Sequence, residues 1–343
     1  MIGHRIIDWY KVNKRDLPWR DTKNPYLIWV SEVILQQTRV IQGLDYYRRF
    51  IEAYPDIFSL ARADIDEILK IWQGLGYYSR ARNMYAAARH IIDVYRGRFP
   101  ETYDGLIAIK GIGDYTASAI ASMAFGQAIP VIDGNVNRVI ARLYGIQQPV
   151  NKRSGQKQIR EYAEELMVRD SPGTYNQAIM EFGALQCVPQ NPNCNDCVLN
   201  RLCVAFRNGL VDMLPIKVKT AKITIRYFHY LYIGFGNRTF IRRRSDGDIW
   251  TGLYEFPMIE TDTETDPDHL SHTPTWQSYF DGQTPLVEEV SPVVTHRLTH
   301  RILKIRFYKI TVNQPIFGKD MIEIPVADLQ RYAVPKVIDN YIL

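Results

Sequence analysis

The chain has 343 residues, a formal net charge of +5 and an apolar fraction of 46%. That length suffices for two domains, each burying its own core. With no apolar run approaching the roughly eighteen residues of a spanning helix, a membrane protein is not expected. The first twenty residues mix Asp8 and Asp16 with apolar side chains. They lack both the apolar core of a secretory signal and the acid-poor character of a transit peptide, which points to a cytoplasmic protein. Residues 1–220 hold six more Lys and Arg than Asp and Glu, and the remainder holds one fewer. A basic excess favours polyanions through counterion release.

Taken in order, residues 1–20 predict a short helix that ends before Asp16-Leu17-Pro18-Trp19-Arg20, because Pro18 stops it. An apolar helix is expected over 26–40, with one acid, Glu32, among Val30, Val33 and Ile34. A carboxyl in an apolar pocket keeps its proton to higher pH and can act as an acid near neutrality. Gln36 and Gln37 follow one turn later, and amides suit recognition of a base. The competing reading is an ordinary glutamate on an exposed stripe. Helices are next expected over 44–53, 64–70 and 80–95. Between the last two, Trp72, Tyr77 and Tyr78 accompany Gly74 and Gly76 and lead into Ser79-Arg80-Ala81-Arg82. Aromatic residues on a Gly-rich turn before arginines fit insertion into a base stack with a grip on adjacent phosphates. A core tryptophan with surface tyrosines is the alternative.

The most informative stretch is Ile109 to Arg138. Gly111 and Gly113 suit a sharp turn between helices, since glycine adopts left-handed angles at low cost. With Lys110 beside them, the N–H groups at the start of the next helix form a phosphate site. Asp114 reads as the cap of that helix. Asp133 follows in a tight apolar turn, Val131-Ile132-Asp133-Gly134-Asn135-Val136. A phosphate grip and a carboxylate at fixed separation point to an enzyme acting on nucleic acid. Helices near 136–143, 153–169 and 174–186 lead to the cysteines. All four lie within one loop, Cys187, Cys194, Cys197 and Cys203. Clustered thiols with none elsewhere argue for a metal centre in a reducing compartment. The spacing leaves iron–sulfur and zinc both open. Residues 208–222 read as a linker. Beyond it, 223–236 and 238–244 read as strands joined at Gly236-Asn237, 251–259 as another strand, 268–279 as a short helix, and 293–312 as two strands around a His-rich turn. A closing helix is expected over Pro325 to Leu343, which makes the second domain α+β.

The hairpin, the aspartate turn and the cysteine spacing occur in the order found in the helix-hairpin-helix DNA glycosylases that carry an iron–sulfur cluster. Residues 5–207 closely resemble that superfamily, which includes endonuclease III. The segments Leu17-Pro18-Trp19-Arg20, Ser31 to Thr38 and Gly74 to Asn83 resemble its MutY-type adenine glycosylase branch. The resemblance implies an all-α glycosylase domain over 1–207 whose loop 187–203 holds a 4Fe-4S cluster on the four cysteines, followed by an α+β, Nudix-like lesion-recognition domain over 223–343. It implies that Glu32 protonates the adenine and that Asp133 stabilises the sugar cation, with Tyr115 and Asn135 positioning them. Lyase-type members carry a lysine where Tyr115 stands, so a monofunctional glycosylase is expected. Gln37 and Tyr77 match the wedge into the base stack. Arg15, Trp19, Arg20, Leu35 and Gln177 match the adenine pocket. Thr38, Ser79, Arg80, Lys110, Gly111 and Gly113 fall in DNA-contacting segments. Leu298-Thr299-His300 aligns with a lesion-reading Phe-Ser-His, so Thr299 and His300 are expected at the 8-oxoguanine. No glutamate-rich Nudix helix is present, so nucleotide hydrolysis is not expected. The implied partner is duplex DNA with an 8-oxoguanine·adenine or guanine·adenine mispair, bound by a monomer. The competing functions are an endonuclease III-like lyase on oxidised pyrimidines and a non-catalytic iron–sulfur DNA-binding protein.

Overall fold

The computed structural model describes residues 1–218, 223–280, 282–316, 318 and 320–342. The helices are α1 (Ile2–Asn13), α2 (Pro25–Leu35), α3 (Val40–Ala53), α4 (Ile57–Arg62), α5 (Ile65–Ile71), α6 (Ser79–Tyr95), α7 (Tyr103–Ile107), α8 (Asp114–Met123), α9 (Gly134–Tyr144), α10 (Arg153–Leu166), α11 (Pro172–Leu185), α12 (Val204–Arg207), α13 (Pro267–Leu270), α14 (Pro274–Phe280) and α15 (Lys336–Ile342). The strands are β1 (Thr224–Phe235), β2 (Arg238–Arg243), β3 (Tyr254–Glu255), β4 (Met258–Thr261), β5 (Leu286–Val290), β6 (Val294–Arg297), β7 (Arg301–Thr311) and β8 (Met321–Pro325). Among the described residues no helix is long and apolar enough to cross a membrane.

Two compact units emerge. The first comprises Met1–Ala63 with Arg82–Lys219, and the second comprises Asp64–Ala81 with Thr220–Leu343. The sequence-based division at 208–222 therefore misses one exchange: Asp64–Ala81 packs with the C-terminal unit. The linker's residues 208–218 belong to the first unit, where Val150 N–H donates to the Ile216 carbonyl at 2.9 Å. Residues 219–222 lie outside the described residues.

The first unit is all-α, as expected. Helix α2 is buried around its whole circumference, from Tyr26 to Ile34, and so carries Glu32 into the interior. It ends five residues earlier than the apolar pattern implies. Gln36 leaves the helical region and Gln37 takes a left-handed φ of 59°. Helix α8 owes its seven consecutive buried residues to small side chains that let neighbouring helices approach. A second core joins α1, α9, α10 and α11, with Cys187, Cys197 and Cys203 packed at its margin. Helices α9 and α11 touch so closely that a Cβ on Gly183 would stand 2.6 Å from Asn135 Cβ.

The second unit is α+β, also as expected. Its mixed sheet runs β3-β2-β1-β7-β5, with β4 on β1, β6 on β7 and β8 on β2. Strands β1 and β7 are parallel, in register from Thr224 and Arg301 to Gly234 and Thr311. Both are buried on two faces, which explains their near-continuous apolar runs. Phe228, Tyr230, Ile305 and Phe307 face Val337 and Ile338 of α15. Leu231, Ile233, Tyr308 and Ile310 face Trp276 and Phe280 of α14. Three expectations need correction. Pro257 divides the strand over 251–259 into β3 and β4, Pro274 separates α13 from α14, and Pro335 splits the closing segment into a short 3-10 turn and α15. Strands β5 and β8 have no counterpart in the sequence reading.

Candidate active site

Glu32, Tyr115 and Asp133 are each delivered by a helix end or a buried helix face. Glu32 is 6% exposed at the centre of α2. Burial raises its pKa to about 7, with the charge of Asp133 adding to the rise and a hydrogen bond from Tyr115 opposing it. Tyr115, in the first turn of α8, donates its hydroxyl to Glu32 Oε2 and lies 3.6 Å from Met180 Sδ. Its own pKa is pushed up by burial and then by Glu32 and Asp133, so the phenol stays protonated as a donor.

Asp133 caps α9. Its Oδ1 accepts from Val136 N–H at 2.7 Å and its Oδ2 from Asn135 Nδ2 at 2.8 Å. Burial raises its pKa, against the pull of the Val136 N–H and the Asn135 amide. The turn that presents it is held by Asn176, which is fully buried. Asn176 accepts from Val131 N–H at 3.1 Å and donates to the Ile129 carbonyl and Ser122 Oγ, each at 2.8 Å. Asn135 Oδ1 in turn accepts from Arg138, which also donates to the carbonyls of Gly183 and Cys187 at 2.7 Å. One chain of hydrogen bonds thus runs from Asp133 to the cysteine loop.

The arginines of the N-terminal turn converge on Glu181, which is 1% exposed. Arg15 donates its backbone N–H and Nε to Oε1, both at 2.9 Å, and Nη2 to Oε2 at 2.5 Å. Arg20 Nη2 reaches the same Oε2 at 2.5 Å, while its Nη1 is buried without a hydrogen-bond partner among the described residues. Burial alone would raise the Glu181 pKa, but the bonds from Arg15 and the charge of Arg20 hold it below the usual value. Gln177 accepts from Tyr10 Oη at 2.8 Å and donates weakly to the Arg20 carbonyl at 3.5 Å. Trp19 is buried edge-on against Tyr47. Leu35 ends α2, and Thr38 Oγ1 donates to the Gln36 carbonyl at 3.4 Å. Gln37 is exposed in its left-handed conformation.

At the hairpin, Gly111 has a φ of 102°, and a Cβ there would lie 2.9 Å from the Asn83 carbonyl oxygen. Gly113 is different: its φ of −89° is open to any residue, and it is itself the cap of α8. Asp114 is therefore the first helical residue rather than the cap, and it accepts from Tyr103 Oη at 2.6 Å and Arg160 at 2.8 Å. Lys110 is exposed.

In the second unit, Tyr77 is 50% exposed with a φ of 48°, and its hydroxyl lies 2.9 Å from Thr299 Oγ1. Arg80 turns inward over Trp72 and Tyr77 and donates to the Gly76 carbonyl at 3.1 Å. Burial lowers its pKa to about 10. Ser79 and His300 are exposed, and Leu298 packs on the core of the sheet.

The four cysteines line one cavity of about 30 Å³ with Val139, Arg142 and Phe182. Buried Arg142 fastens their loop, donating to the carbonyls of Leu214, Val188 and Pro189 and to Cys187 Sγ at 3.5 Å. Burial raises the Cys197 thiol to about 11, and its three neighbours add to the rise. Four soft thiols gathered on one small cavity suit a group that brings positive charge. Among the described residues no three His, Cys, Asp or Glu side chains converge on a metal position.

Similarity to known proteins now decides the family. The chain is 36% identical over 261 residues to an adenine DNA glycosylase of Buchnera aphidicola subsp. Schizaphis graminum, covering 76% of this chain and 75% of that one. It belongs to the adenine DNA glycosylase family. The human adenine DNA glycosylase is 41% identical over 209 residues, 58% of this chain and 38% of that protein. Residues 30–167 match the HhH-GPD superfamily of base excision DNA repair proteins, and 229–343 match the NUDIX domain. The structure of a thermostable thymine-DNA glycosylase aligns with a TM-score of 0.56 at 29% identity, over 60% of this chain and 95% of that one. The two matched segments fall along this chain in the order glycosylase, then Nudix-like.

Within an adenine DNA glycosylase, Glu181, Asn176, Arg138 and Arg142 are positions that motif reading passed over. Asn176, Glu181 and Arg142 are polar side chains that their helices carry into the interior, and no local motif marks them.

Proposed function

We propose that this chain hydrolyses the N-glycosidic bond of adenine mispaired with 8-oxoguanine or guanine in duplex DNA, as a monofunctional glycosylase. The observation that carries the reading is Glu32, a buried acid with a pKa of about 7 hydrogen-bonded to a phenol where lyase-type relatives have an amine. Protonated Glu32 gives its proton to the adenine ring, turning a poor leaving group into a good one. Asp133, whose two oxygens accept from the Val136 N–H and the Asn135 amide, faces the sugar cation that develops. This is the division of labour of a two-carboxylate glycosidase. Tyr115 orients Glu32 and offers no amine for a Schiff base, so the strand is left uncut.

Extrusion of the adenine costs about a few kcal/mol, less at a mispair. Gln37 and Tyr77 hold left-handed backbones on exposed turns, the kind of outlier that marks ligand clamps. They are assigned to the vacated stack, Arg15, Trp19, Arg20, Leu35 and Gln177 to the base pocket, and Thr299 and His300 to the oxidised guanine. The N–H groups around Gly111 and Gly113, with Lys110, are assigned to the backbone phosphates. Cys187, Cys194, Cys197 and Cys203 would hold a 4Fe-4S cluster, which when bound cross-links their loop.

The test is a duplex with one 8-oxoguanine·adenine pair. Free adenine with a strand that breaks only after alkali is expected. Immediate cleavage without alkali would instead support a lyase, and binding without base release would support a non-catalytic DNA-binding protein.

A further inference from the structure

Tyr77 stands on a turn that its own residues brace. Trp72 Nε1 donates to the Gly76 carbonyl at 3.1 Å, Gly74 N–H to Tyr78 Oη at 3.2 Å, and Arg80 to the Gly76 carbonyl. These bonds fix the shape of the turn but not its place. Its place is set by α5 and Gln73, which pack in the same compact unit as the C-terminal sheet although some 150 residues separate them in sequence. Asp66 takes Arg243 Nη2 and Tyr254 Oη, both at 2.7 Å. Lys70 Nζ donates to the Tyr332 carbonyl at 3.2 Å. Gln73 uses both ends of its amide: Nε2 donates to Asp339 Oδ1 at 2.7 Å, and Oε1 accepts from Val334 N–H at 3.2 Å. Val334 precedes the proline that splits the closing segment, and Asp339 lies on α15.

We propose that Gln73 is a positioning residue, the clasp by which α15 and the segment before it hold the Tyr77 turn in register with Thr299, so that the sheet domain sets how the aromatic enters the duplex. The proposal rests on the reading of Tyr77 as the wedge. The chemistry favours Gln73 over its neighbours. Lys70 donates its ammonium to the Tyr332 carbonyl and to Gln73 Oε1 itself, each at 3.2 Å, whereas the primary amide of Gln73 meets a charged acceptor on α15 and a backbone donor before it at once, and no apolar side chain replaces either. Bonds to charged groups are also the stronger kind. Thr299, facing the Tyr77 hydroxyl, belongs to the same unit, so lesion-side residues and wedge share one mount.

The experiment compares full-length variants on a duplex carrying a non-hydrolysable 2′-fluorinated adenine nucleotide opposite 8-oxoguanine, with a T·A duplex as reference. Gln73→Leu is expected to lose about tenfold in mispair affinity, the size of one charge-assisted bond, with T·A affinity unchanged and thermal unfolding of the glycosylase unit unmoved. The swapped pair Gln73→Glu with Asp339→Asn keeps both bonds with their polarity reversed at α15, and it is expected to bind the mispair within threefold of wild type. Rescue by the swap ties the loss to these two bonds, and unchanged thermal unfolding of the C-terminal unit in Gln73→Leu separates it from loss of folding. Mispair affinity of Gln73→Leu within twofold of wild type, or a swapped pair as weak as Gln73→Leu, overturns the proposal. Tyr77→Ala separates the two layers. If it binds the mispair as wild type does, the wedge reading itself falls. If it binds weakly while Gln73→Leu is unimpaired, the clasp alone falls.

Discussion

Replacing Glu32 by glutamine should make the protein more stable at pH 8 and much less active. The folded-state pKa of Glu32 is about 7 against an ordinary value of 4.5. The native state therefore binds this proton more tightly than the unfolded chain does. As pH rises from 4.5, the unfolded chain gives up the proton first, so stability falls through the window up to about 7 and the full penalty stands above it. Two and a half units amount to about 3 kcal/mol at pH 8, most of which accrues between pH 5 and pH 8. Glutamine has the same shape and no proton to lose. Urea unfolding of both proteins at pH 5 and pH 8 should show Glu32→Gln gaining about 2–3 kcal/mol on wild type between the two, since groups remote from Glu32 cancel in the comparison. Single-turnover base release by wild type should fall about tenfold per unit above pH 7, and Glu32→Gln should be at least about a hundredfold slower throughout. Parallel stability curves for the two proteins would refute the argument, because Glu32 would then not be carrying a raised pKa.

Three further outcomes follow from the same geometry. Asp133→Asn retains an acceptor for the Val136 N–H but no charge, so base release should be lost while mispair affinity by gel shift stays within a few-fold; undiminished release would remove Asp133 from the chemistry. Asn176→Ala strands the Val131 N–H and the Ile129 carbonyl in the interior, at about 1–3 kcal/mol each. Urea melts should show that loss, and base release should fall because the turn carrying Asp133 is released; a variant as stable and active as wild type would show the clamp to be idle. Protein purified without oxygen should be brown with about four irons per chain, and Cys197→Ser should lose the colour and unfold at lower temperature. A colourless protein carrying zinc would decide for the other metal left open by the spacing.

What could be read from the sequence was whatever is written locally. The all-α to α+β change, the Gly111 turn and the clustered cysteines each declare themselves within a few residues. Alternation and apolar runs revealed β1 and β7 because both are buried on two faces, whereas β5 is mostly exposed and β8 is half-buried at the margin, so neither carries an apolar signature. Helix α2 ends at Leu35 although apolar periodicity continues to Val40; the left-handed Gln37 is imposed by surroundings that the pattern does not encode. Asp114 looked like a cap by composition, but Gly113 takes the extended backbone a cap requires and leaves Asp114 to Arg160, a partner forty-six residues away.

The larger omissions were all pairings across long stretches of chain. Nothing near Arg15 or Arg20 announces Glu181, and nothing near Gln73 announces Asp339. Yet these distant partners decide what the local motifs can do. Arg20 cannot be a free cation for a base while Glu181 holds one of its nitrogens; it has only the other to offer, and that nitrogen is buried and unpaired. A buried guanidinium nitrogen left unsatisfied costs stability. The same logic joins Glu32 to Tyr115. Burial makes the ionised form of Glu32 costly to hold, and the Tyr115 phenol that donates to it limits that cost. The stability gain expected of Glu32→Gln is therefore the measure of how far this fold is strained toward its chemistry.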